Sequence, residues 1–183
     1  MNYYGAKELA ESFRTVRKNT IRVAEDIPED KYGFAAAADL RTVEKLFTHI
    51  ALAPRFHYQV HGIERRSTLE GFNFPALMQQ VMAEEAESRT KAEVIELLRK
   101  EGEAWANFIT GLPEDFLSQV VTMPKGGTPP SRTRFDMILS VKEHEMHHRG
   151  QLMLIERMIG IIPHLTREMQ AQMGQAQAQA SKA

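Results

Sequence analysis

Imidazole is the commonest side-chain ligand for metals, and the chain carries seven histidines, at positions 49, 57, 61, 144, 147, 148 and 164. His144 and His148 are four residues apart, so in a helix they rise from adjacent turns of one face. That face reads Met137, Val141, His144, His148, Gln151, Ile155 and Met158, an apolar stripe with two imidazoles in its middle. Burying imidazoles costs free energy unless their nitrogens find partners, and one divalent metal would serve both rings. Two ligands seldom complete a site, so a third is expected from another helix. His49, just after Leu46 and before Ile50, stands at the edge of a second apolar stripe and is the leading candidate; His57 and His61 follow two and three turns later. His147 points about a hundred degrees away from His148 and reads as a surface or supporting residue. A plainer alternative uses the same stripe: polar residues hydrogen-bonded inside a bundle, with no metal.

A third reading is literal. His144-Glu145-Met146-His147-His148 spells H-E-x-x-H, which in zinc peptidases puts two ligands and a general-base glutamate on one helix. The extended form calls for Gly at position 151 and His at 154, where Gln151 and Leu154 stand. Glu156 is two turns along the same helix, poorly placed as a third ligand, and no upstream segment promises a substrate-aligning sheet. The peptidase is the weakest of the three readings.

The elements that must hold these residues are helical. Leu9, Phe13, Val16, Ile21 and Val23 give residues 7–24 an apolar face, and Asp26-Ile27-Pro28 ends it, since a residue before proline avoids the helical region. The second helix is expected from Asp39 or Thr42 to Gly62, kinked or divided by Pro54, which has no amide donor. A short helix follows Phe74-Pro75. The third long helix opens on the capping box Thr90-x-x-Glu93 and stops at Gly111 and Pro113. Residues 116–123 suggest a brief strand or extended crossing, and the fourth helix runs from about Thr133 to Ile162. Together they predict an all-α four-helix bundle over residues 1–163, with at most a short strand or hairpin before helix four. Residues 164–183 are expected to be a low-complexity tail, frayed or disordered from Gln175 onward.

Composition narrows the setting. Hydrophobic residues at 43% and charged residues at 26% are those of a folded globular chain. A net charge of −1 gives no electrostatic case for nucleic acid or an anionic membrane. The chain has no cysteine, hence no disulfide, no thiolate ligand and no thiol nucleophile of its own. The N-terminal residues show no secretory pattern, so a cytoplasmic protein is expected.

Three segments resemble one family. His144-Glu-Met-His-His-Arg-Gly-Gln-Leu152 is similar to the H-x-x-H-H-R-G-Q-hydrophobic signature of the DinB/YfiT-like superfamily. Leu46-Phe-Thr-His49-Ile50 resembles its helix-two L-x-x-H-hydrophobic motif, and Asp26-Ile-Pro-Glu-Asp30 its inter-helix I-P-E-[ED] segment. The similarity spans about residues 5–163. It implies an up-down-down-up bundle, often dimeric, with His49, His144 and His148 as metal ligands. Some relatives carry a carboxylate at one of these positions. The superfamily includes thiol-dependent transferases, maleylpyruvate isomerases and metal-dependent hydrolases.

A three-histidine site leaves a position open for water or a small-molecule substrate, and zinc or nickel suits imidazole. With no cysteine in the chain, a thiol co-substrate would be a low-molecular-weight one from solution. The non-catalytic alternative is a stress-linked metal- or ligand-binding bundle. Arg149, Arg55 and Arg41 are candidate anion binders, though each is by default a solvated or helix-capping cation. Gly150 is read as allowing close helix packing and Gln151 as a hydrogen-bond partner behind a ligand. Glu145 is expected to be remote from the metal, so Glu145→Gln should leave metal affinity and fold nearly unchanged, while His49→Ala should weaken binding by orders of magnitude.

Overall fold

The computed structural model describes residues 4–180. In chain order the elements are α1 (Ala6–Asp26), α2 (Val43–Leu52), α3 (Pro54–Tyr58), α4 (Phe74–Ala86), α5 (Lys91–Thr110) and α6 (Glu114–Ser118). A two-stranded antiparallel ladder follows, β1 (Val120–Thr122) against β2 (Ser131–Thr133), and then α7 (Arg134–Met158) and α8 (His164–Ala180). None of the described helices is long and apolar enough to cross a membrane.

Threonines open three of the bundle helices, α2, α5 and α7. Thr42 accepts a hydrogen bond from the Lys45 amide, Thr90 from Glu93 and Thr133 from Asp136. Each satisfies an amide that the first helical turn leaves without a partner. Glu93 also reaches back to the Thr90 amide at 2.8 Å, completing the expected capping box. Pro54 divides the second bundle helix, as its missing amide requires. The break separates α2 from α3, and the chain then widens into a π turn over Gln59–Ile63.

The bundle is built from α1, the α2–α3 pair, α5 and α7. Both α1 and α2 pack against α5 and α7, so the two N-terminal members sit across the diagonal. Polar contacts give the directions. Arg14 reaches Glu103 and Asn107 while Arg99 reaches Glu25, so α1 and α5 are antiparallel. Lys142 meets Ser12 and Arg149 meets the Val16 carbonyl, so α1 and α7 are parallel. Arg55 bonds Glu101 and the ring of His57 lies near that of Trp105, so α3 runs parallel to α5. The order is therefore up, down, down, up.

Two apolar clusters fill the interior. One gathers Val23, Ile27, Phe47, Ile50, Leu98 and Leu152, the other Leu9, Phe13, Trp105, Ile109, Ile138 and Val141. Between them, on α1, α5 and α7, lie Arg17, Gly102 and Glu145.

Three expectations change. Residues 114–118 form a helical turn that buries Phe116 and Leu117, and extended chain begins only at Val120. The segment from residue 164 is helical through Ala180 rather than frayed from Gln175, although every α8 residue from Arg167 onward is exposed; residues 181–183 of the expected tail lie outside the described residues. Gly150 is exposed, and a Cβ there would meet nothing within 4 Å, so it serves no close helix contact.

Candidate metal centre

Because α2 runs antiparallel to α7, the edge of one apolar stripe meets the middle of the other. His49 faces His144 and His148, each half-buried, and one ring nitrogen from each lies within 4.8 Å of the other two. Nε2 of His144 is 3.1 Å from Nε2 of His49 and 3.1 Å from Nε2 of His148. The remaining histidines lie apart from this point. His147 is exposed beside His148. His61 is buried against Arg134, 2.9 Å away, and His164 is buried at the start of α8.

Two of the three rings are held from behind. Nδ1 of His49 lies 3.1 Å from a carboxylate oxygen of Glu85 on α4, itself paired with Arg41. Nδ1 of His148 lies 2.8 Å from the side-chain oxygen of Gln151, as the sequence suggests. Both partners are acceptors, so the neutral rings carry their proton on Nδ1 and keep the Nε2 lone pair. His144 has at most one proton to offer two such lone pairs, and its own Nδ1 is buried with no hydrogen-bond partner among the described residues. Three imidazoles thus converge with fewer protons than lone pairs. A shared cation relieves that condition, and the donor set fits a divalent ion that favours nitrogen.

Electrostatics keep the rings ready to ligate. Burial pushes the His144 pKa down to about 4, helped by His148 and His49. Burial likewise lowers His49, helped by Arg41 and opposed by the Glu85 hydrogen bond. His148 is lowered by burial against the opposing Gln151 bond. At neutral pH the three rings are uncharged, the form that binds metal.

Glu145, next in sequence to His144, belongs to a different environment. Its carboxylate takes Arg17 Nε at 3.0 and 3.1 Å and Nη2 at 2.9 Å. Arg17 also donates to the Leu98 carbonyl at 2.6 Å and to the Ile50 carbonyl at 3.3 Å, so one guanidinium touches all four bundle helices. The Ile50 carbonyl is the one that Pro54, four residues on, cannot serve. Gly102 makes room: a Cβ there would lie 2.8 Å from Arg17 Cγ. Glu145 is therefore remote from the triad, as expected, and committed to Arg17, which leaves the H-E-x-x-H reading without its general base. The expectation that Glu145→Gln would spare the fold is overturned, because both members of the pair are buried.

The candidate anion-binding arginines also have partners: Arg55 with Glu84 and Glu101, Arg41 with Glu85, and Arg149 with the Val16 carbonyl. Beside the triad opens a cleft of about 420 Å³, walled by Phe56, Phe74, Met78, Val81 and Val141, with His49, His144 and His57 on its border. Sequence reasoning missed Glu85 and this cleft. Glu85 lies one turn after Val81, the only buried residue of α4, so the face was marked by a single position.

A sequence model described as the DinB superfamily matches residues 12–152. No curated protein matches the chain. Among solved structures, the DinB-like protein YjoA from Bacillus subtilis is similar at a TM-score of 0.61 and 20% identity, covering 84% of this chain and 92% of that one. YfiT from the same organism, described as a probable metal-dependent hydrolase with an unusual four-helix bundle topology, is similar at a TM-score of 0.65 and 12% identity. That match covers 88% of this chain and 91% of YfiT. At such identities the two structures speak to the fold.

Proposed function

The chain belongs to the DinB superfamily, and on that premise we propose that it is a divalent-metal-dependent enzyme of hydrolase, isomerase or thiol-dependent transferase type acting on a small molecule. His49, His144 and His148 are the ligands, and zinc or nickel is the ion. The convergence of three neutral imidazole nitrogens is the observation that carries this reading. The description of YfiT as metal-dependent supports it.

When bound at three imidazoles, such an ion supplies a Lewis acid with a coordination position left for water or substrate. The chain's own residues do the rest. Glu85 and Gln151 hold the His49 and His148 rings through Nδ1, which fixes where their lone pairs point. Phe56, Phe74 and Met78 border the approach with apolar surface, which limits water around a bound molecule. A thiol co-substrate would come from solution, since the chain has no cysteine.

Zinc titration of protein purified without a polyhistidine tag tests the ligand set. His49→Ala should weaken binding by roughly two orders of magnitude or more, because a three-ligand site is reduced to two. Full affinity in that variant would remove the assignment. Cobalt substitution then separates enzyme from binding module: a visible spectrum that responds to added thiols or small anions favours catalysis, and an unresponsive one favours a non-catalytic bundle.

A further inference from the structure

The cleft beside the triad carries no charge. None of its lining residues is Asp, Glu, Lys or Arg. Arg41 and Glu85, behind His49, pair with each other and line a separate hollow with Lys45. Ser140 spends its hydroxyl proton on the Met137 carbonyl at 2.7 Å. Burial pushes the His57 pKa down to about 3, so that ring is uncharged too. The rest is hydrocarbon: Leu52, Val81 and Val141, all buried, with Phe56, Phe74 and Met78. A charged group entering here would give up its water and meet no counter-charge.

The wall on α4 differs in kind from the others. Leu52 and Val141 belong to bundle helices, whereas Phe74, Met78 and Val81 share one face of α4, which lies outside the bundle and packs chiefly on α2. Val81 is the only buried residue of that helix, so its apolar face is spent on the cleft rather than on a core. Phe74 leans edge-on against Phe56 at 5.6 Å. Met78 brings an unbranched thioether that adapts to the shape beside it.

We propose that this cleft seats an uncharged apolar group of the substrate, a ring or a branched chain, and that Phe74 and Met78 set the size it accepts. The substrate class is a neutral, hydrophobic small molecule with one metal-binding end. Only that end rests on the proposed metal function. The cleft volume of about 420 Å³ falls in the range of small-molecule sites.

The exclusion of charge is tested on the wild type alone. In cobalt-loaded protein, followed by its visible spectrum, benzohydroxamate should outbind acetohydroxamate by roughly tenfold or more through its buried ring. The ring is then extended by isosteric pairs, 4-tert-butyl against 4-trimethylammonio and 4-acetyl against 4-carboxy. The neutral member of each pair should bind roughly tenfold or more tightly than the charged one. Met78→Trp narrows the cleft and should cut the advantage of benzohydroxamate to about threefold or less, while Phe74→Ala widens it and should favour 2-naphthohydroxamate by about threefold or more. Equal binding within the isosteric pairs overturns the proposal, as does a size preference unmoved by both α4 substitutions. Hydroxamates that bind cobalt with no regard to the ring also overturn it, and leave the metal function standing. The reverse case is read without metal. Toluene, followed by NMR in metal-free protein, should bind the wild type and bind Met78→Trp roughly tenfold or more weakly. If cobalt ignores every hydroxamate while that toluene result holds, the metal function fails and the cleft assignment stands.

Discussion

His144 and Glu145 are neighbours in the chain and opposites in environment. The histidine layer is half-buried, and two of its three rings, those of His49 and His148, have hydrogen-bond partners behind them, while the three face one another in front. The layer one residue on is fully buried and closed: the Arg17 guanidinium spends its donors on Glu145 and on carbonyls of two other helices. An incomplete polar cluster calls for a ligand, whereas a complete one is architecture. Adjacent letters of a sequence motif can therefore belong to two unrelated devices when a helix turns about a hundred degrees between them.

The largest effect should come from opening the closed layer. Glu145→Ala leaves a buried guanidinium without its counter-charge and should cost about 3–5 kcal/mol, read by urea unfolding. Replacing both partners, Arg17→Met with Glu145→Leu, should recover most of that loss, since a buried pair often does no better than hydrocarbon of similar volume. If Glu145→Ala is neutral, the contrast between the layers fails. Metal affinity in the folded double variant should stay close to wild type.

Gly102→Ala sharpens the same side. Alanine ordinarily favours a helix over glycine by about 1 kcal/mol. Here its Cβ would press on Arg17, so a net loss of about 1–3 kcal/mol is expected in the same unfolding assay.

On the open side, Glu85→Ala removes the carboxylate behind His49 and should weaken zinc roughly tenfold, measured by competition with a chelator. Unchanged affinity would mean that His49 needs no orienting partner.

The smallest effects are those of pH. Burial, with Asp26 nearby, raises the Glu156 pKa from 4.5 to about 7 against Arg167 and Arg157. Its folded-state pKa lies above the unfolded one, so its contribution is complete below about pH 4.5 and is lost as pH rises through 7. Most of that loss falls below pH 7, and only about 0.4 kcal/mol remains to be lost between pH 7 and 8; this dependence should be absent from Glu156→Gln. His57 and His61 act in the opposite sense. Burial lowers them to about 3 and about 4, so their contribution is complete above about pH 6.5 and is lost on acidification toward those values. Thermal melts of metal-free protein across pH 4–8 should therefore peak in between.

Much of this was legible because it is local. Thr90-x-x-Glu93, Pro28, Pro54 and Thr133 act on their own turns, and the helix boundaries follow them. The spacing of His144 and His148, with Leu46 and Ile50 around His49, marks two stripes that a bundle brings together. Arg17 went unread, although it falls on the stripe of Phe13 and Thr20, as Glu145 falls on that of Ile138, Val141 and Leu152, and two opposite charges on buried stripes are the signal that could have found the pair. Glu85 was not legible, because α4 shows one buried residue and its partner His49 is 36 residues away. Gly150 misled because glycine in a helix suggests close approach, and only the exposure of its face shows that nothing approaches.

The bonds of Arg17 also bear on the time the protein stays folded. Its partners lie 33, 81 and 128 residues away in sequence, on three different helices, and none is gained until those helices have docked. Contacts of such separation carry a large loop-closure penalty and tend to form late. If the guanidinium is still hydrated in the folding transition state, a change at Arg17 should leave the folding arm of a chevron nearly where it was and lift the unfolding arm. On that expectation this one side chain is a latch, one that governs how slowly the bundle opens and not how quickly it assembles.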